Sequence, residues 1–74
     1  MTHAAIDSNL CRALHFSMHR VDQLRMKLNM SEPLNVLEEF LMRRALLRAR
    51  YAMQQSNEVE AMRMLRVLKR FEQP

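Results

Sequence analysis

No glycine occurs anywhere in this chain of 74 residues, and its two prolines stand at positions 33 and 74. β-Hairpins are usually closed by Gly, Asn-Gly or Asp-Gly turns, and none of these is present, so a β fold is excluded. The abundant residues (Met, Leu, Ala, Arg, Glu, Gln) are helix formers, and an all-α fold is expected. Cys11 is the only cysteine, which rules out an internal disulfide; a free thiol in a reducing cytoplasm is a simpler reading than a bridge between chains. No apolar run approaches the ~18–20 residues of a membrane span, and MTHAAIDSNL lacks the basic and apolar regions of a signal peptide. A cytoplasmic chain that does not enter the membrane is therefore expected. No catalytic, metal or nucleotide-binding motif stands out in the sequence, so no enzymatic activity and no cofactor are expected.

What is present is organised around Pro33–Met53, PLNVLEEFLMRRALLRARYAM. Read at a helical period, its apolar residues occupy three sectors rather than one stripe. Leu34, Leu37, Leu41, Ala45 and Ala52 form one, with Leu37 and Leu41 expected at the heart of the core. Val36, Phe40, Leu47 and Tyr51 form a second, and Met42, Leu46, Ala49 and Met53 a third. A helix apolar on most of its circumference needs several neighbours. Two other helices are available in the chain, so a second chain is expected to supply the missing cover, as a homodimer or a heterodimer. A single core of this size rarely supplies more than ~3–5 kcal/mol, which also favours an oligomeric interface.

Before this stretch, Asp7 is placed to cap a helix, with Ile6 and Cys11 at the flanking staple positions. Leu10, Leu14, Ser17, Val21, Leu24 and Leu28 then follow a 4-3-4-3-4 spacing, the seam of a helix packed at a shallow angle along another. Asn29–Pro33 is a break, with Ser31 or Glu32 capping the next helix. Gln54–Glu58 is a softer boundary. Asn57 followed by Glu60 has capping-box spacing, which favours a break over one rod of about 40 residues. One domain is expected, with helices at about 7–29, 33–54 and 58–72, forming an antiparallel hairpin plus a third helix completed by a partner chain. The small residues Ala45, Ala49, Ala52 and Ala61, followed by Leu65 and Leu68, resemble half of a tetratricopeptide repeat over about 30 residues. The glycine and aromatic positions of that repeat are missing, so the resemblance implies helix-hairpin packing and carries no site.

Cys11, His15 and His19 fall at i, i+4 and i+8. Adjacent members could share a metal, but the first and last lie ~12 Å apart along a helix. A closed site would need ligands from His3 or from another chain, and no metal is expected. The Cys11–His15 pair has nothing to serve as an oxyanion hole.

The formal net charge is +4, with residues 1–42 at −1 and residues 43–74 at +5. Arg63, Arg66 and Arg70 share one face of the third helix, where they could meet phosphates or an acidic protein. Acids near helix starts and bases near helix ends also complement the helix dipole, and the third helix offers no Asn or Gln to read base edges before Gln73. The leading expectation is a protein–protein interaction module (adaptor, chaperone or regulatory subunit) that buries a partner helix on Met- and Leu-rich faces. Its expected contact residues are Phe16, Met42, Leu46, Met53, Arg63, Arg66 and Arg70. The alternative is a small basic helical regulator that binds nucleic acid.

Overall fold

The computed structural model describes residues 6–31 and 36–73, and for residues 29–31 the backbone alone. It contains three helices, α1 (Ser8–Ser31), α2 (Val36–Gln54) and α3 (Glu58–Glu72), with no strand among the described residues. Each helix packs against the other two. The bundle is elongated, 47 × 18 × 15 Å.

Asp7 begins α1 as its spacing implies. Its carboxylate accepts from the Leu10 N–H at 3.4 Å, its carbonyl accepts from the Cys11 N–H, and Ile6 packs onto the core. The leucine seam is the buried side of α1: Leu14 and Val21 are fully buried and Ser17 nearly so, while Leu10, Leu24 and Leu28 pack around them. Ser31 is the last residue of α1. The break expected over Asn29–Pro33 therefore starts later than its spacing implies, because Asn29, Met30 and Ser31 continue α1 and Ser31 does not cap the next helix; Glu32 and Pro33 lie outside the described residues, as does His3.

Between α2 and α3 the chain breaks without glycine or proline. Ser56 takes a left-handed conformation (φ 51°), its N–H bonds to the Met53 carbonyl, and the Asn57 N–H reaches back to Ala52. These two bonds form a Schellman motif with serine in the position that glycine usually fills. Asn57 then turns from closing α2 to opening α3, where its side-chain oxygen accepts from the Glu60 N–H at 3.1 Å.

The buried side of α2 is Met42, Ala45, Ala49 and Ala52, facing Leu14, Val21, Ala61, Met64 and Leu68. The expectation for Leu37 and Leu41 is overturned: they are 71% and 42% exposed. The alanine row explains the difference. Small side chains let neighbouring helices approach closely, so α1 and α3 close on the Ala45–Ala49–Ala52 ridge and leave the bulky leucines outside the contact.

Candidate partner-docking face

With all three helices packed, the side of α2 away from the core still carries large apolar groups. Val36 (69% exposed), Phe40 (49%), Leu47 (57%) and Tyr51 (63%) stand at i, i+4, i+11 and i+15. That spacing holds them in one row about 22 Å long. Leu37 and Leu41 widen the row toward α3. Isolated exposed apolar residues are ordinary, whereas a contiguous run marks an interaction surface.

Arginines border the row on both sides. Arg43 and Arg50 lie on the border toward α1, Arg44 and Arg48 on the border toward α3, and all four are exposed. Arg43 is held by Glu39 at 2.9 Å, the i, i+4 pair legible in the sequence. Glu39 also takes Arg25 of α1 at 3.0 Å, and Arg25 in turn holds Asp22. The hydrogen bonds that Arg25 donates to Glu39 and then Asp22 push its guanidinium above its ordinary pKa, and the cluster ties α1 to the start of α2.

The surface is concave where α2 meets α3. A groove of about 620 Å³ is lined by Leu47, Arg48, Tyr51, Gln55, Asn57 and Glu60. A second depression of about 270 Å³, also lined by Arg48, includes Leu41, Arg44, Arg63, Val67 and Phe71. Glu60 sits between them, 3.5 Å from Arg48 and 3.3 Å from Arg63.

The contact residues expected from the sequence do not share one surface. Met42 is 2% exposed and belongs to the core, so it is unavailable to a partner in this fold. Leu46 and Met53 are half-buried against the core, Leu46 in the cleft with His15, Met18 and Asp22 of α1. Phe16 is 62% exposed on α1, with the Arg20 guanidinium 5.6 Å from its ring centre. Arg20 is tethered to Glu72 at 2.9 Å, which places Phe16 beside the α1–α3 cleft. Arg63 lines the α2–α3 groove, while Arg66 and Arg70 are exposed and make no ion pair among the described residues. Val36, Leu37, Phe40, Leu41, Leu47 and Tyr51, with Arg44 and Arg48, are the additional surface residues. The row Val36–Phe40–Leu47–Tyr51 was legible as a sector. What marks it as the outer one is the bulk of its side chains against the small alanines opposite.

Among the described residues no three His, Cys, Asp or Glu side chains converge as a metal site. No described helix is long and apolar enough to cross a membrane. Comparison of the chain with protein-family models, with curated proteins and with solved structures returned no match.

Proposed function

We propose that the chain is a protein–protein interaction module, an adaptor, chaperone or regulatory subunit, that buries a partner helix on the outer face of α2 as one half of a homodimer or heterodimer. The observation that supports this most directly is the row Val36, Phe40, Leu47 and Tyr51, which stays exposed with the three helices of the described residues packed together. An amphipathic helix laid along such a row buries anchors at i, i+4 and i+7 spacings. Burying side chains of this size contributes ~1.5–3 kcal/mol each at most, enough to complete a bundle whose own core is thin.

Site-specific photo-crosslinking in the host cell tests this reading. A benzophenone amino acid at Leu37, Phe40, Leu47 or Tyr51 is expected to give discrete protein adducts, and one at Gln23 on α1 none. Adducts of equal yield from Gln23, or none from α2, would contradict it. The nucleic-acid reading draws on Arg63, Arg66 and Arg70, all exposed on α3. It predicts nuclease-sensitive adducts from α3 rather than α2. It also predicts a duplex affinity whose salt slope flattens by roughly 0.9 per phosphate contact removed when the three become Gln.

A further inference from the structure

We infer that the occupant of this face is an acidic amphipathic helix, seated over the α2–α3 groove with carboxylates beside its apolar stripe; the inference rests on the docking reading above and specifies its partner. Shape gives the first part of the argument. Two depressions that share Arg48 follow one another along the α2–α3 seam, the first bounded by Leu41 and Phe71 and the second by Tyr51 and Gln55. Leu41 to Gln55 spans about 21 Å of helix, which matches a partner segment of roughly 14 residues. A helix in that groove makes the fourth member of a bundle.

Charge gives the second part. Among the groove-lining side chains the ionic groups are Arg44, Arg48, Arg63 and Glu60. The one carboxylate is already shared by Arg48 and Arg63, and Arg44 makes no ion pair among the described residues. On the far border Arg50 is in the same state. The helix dipole does not account for Arg44, Arg48 and Arg50, because the last turn of α2 contains no base. Guanidinium groups on long apolar stems can cover an apolar row while presenting forked donors to carboxylates.

A second copy of the chain fits this surface less well. The row reads the same in both directions, so an antiparallel copy would seat Val36 on a Tyr51 and Phe40 on a Leu47. The two-fold axis would then pass between Arg43 and Arg44 and bring that pair of one copy onto the same pair of the other. Each copy also carries a formal charge of +4. Like charges placed together at an interface disfavour it. A nucleic acid would satisfy the arginines but leave Leu41, Val67 and Phe71 against a charged backbone.

The test titrates the full chain, ¹⁵N-labelled, with synthetic helices of about 18 residues that share one leucine-rich face. In one peptide glutamates flank that face, in a second lysines do, and a third has the glutamate peptide's composition in scrambled order; a short DNA duplex is the fourth probe. The glutamate-flanked helix is expected to bind about tenfold or more tightly than the other three. It should shift the amides of Leu41, Arg44, Arg48, Arg63 and Val67, and lose affinity as salt rises. Replacing Arg44, Arg48 and Arg63 together with Glu should reverse the preference toward the lysine-flanked helix. Should that triple variant not fold, Arg44→Glu alone is expected to narrow the preference by at least about twofold, since the ion pairs among the described residues do not involve it.

Equal binding of glutamate- and lysine-flanked helices would overturn the acidic partner and leave the docking face standing. Tighter binding of the duplex would overturn it in favour of nucleic acid. A dimer by sedimentation that excludes the peptides would overturn it in favour of a second copy. Binding of none of the helices, together with an absence of α2 crosslinks in the cell, would remove the docking reading as well.

Discussion

Leu14 and Leu37 show at the scale of single residues how differently two leucines of this chain are used. Leu14 is fully buried and Leu37 is 71% exposed. Leu14→Ala is expected to destabilise the chain by ~2–5 kcal/mol through the lost contacts and the residual cavity, and in a bundle this small that abolishes a cooperative melt. Leu37→Ala should change stability by less than ~0.5 kcal/mol. Thermal unfolding followed by circular dichroism checks both, and a large loss for Leu37→Ala would mean the buried face of α2 is wrongly assigned. Arg25 is the third informative residue. Arg25→Gln breaks the links to Glu39 and Asp22 and should cost about 1 kcal/mol. Because Glu39 and Asp22 raise the Arg25 pKa, its stabilisation is complete below its unfolded pKa and is lost only as pH rises through the folded one. The difference in urea midpoint between wild type and variant should therefore stay constant from about pH 7 to 9.

At the scale of elements, the three helices and the seam of α1 were legible because apolar spacing and caps agree there. Leu10 to Leu28 repeats without a break, and Asp7 and Asn57 both cap as their positions imply. The orientation of α2 was not legible, since three apolar sectors compete and spacing does not rank them. The decisive property was side-chain size, with Ala45, Ala49 and Ala52 admitting neighbours that Leu37 and Leu41 would hold off. The end of α2 was ambiguous for a related reason: Ser56 occupies the left-handed position without the glycine that would announce it. Ser56→Gly is expected to stabilise the chain by about 0.5–1 kcal/mol by removing the Cβ penalty. Asn57→Ala should destabilise it by about 1 kcal/mol through loss of the cap. Chemical denaturation measures both, and a destabilising Ser56→Gly would contradict the Schellman geometry. The dipole reading of the basic residues holds fully only for α3, which has acids in its first turn and bases in its last; α1 has neither in its terminal turns and α2 only the acids.

At the scale of the whole molecule, the bundle is long and narrow, 47 × 18 × 15 Å. Its largest fully buried side chains are Leu14, Leu68 and Val21, and much of the remaining core is alanine and methionine. The long, thin bundle thus keeps its bulkiest apolar row on the outside of α2 and its arginines alongside, an arrangement that stability of the isolated chain does not call for. Hydroxyl-radical footprinting of Val36, Leu37, Phe40, Leu41, Leu47 and Tyr51 tests this most directly, first in the dilute purified chain and then in the complex isolated from its host. All six are predicted to react in the free chain and to be protected in the complex, while Phe16 reacts in both. Protection already present in the dilute chain, or undiminished reactivity in the complex, would contradict the account.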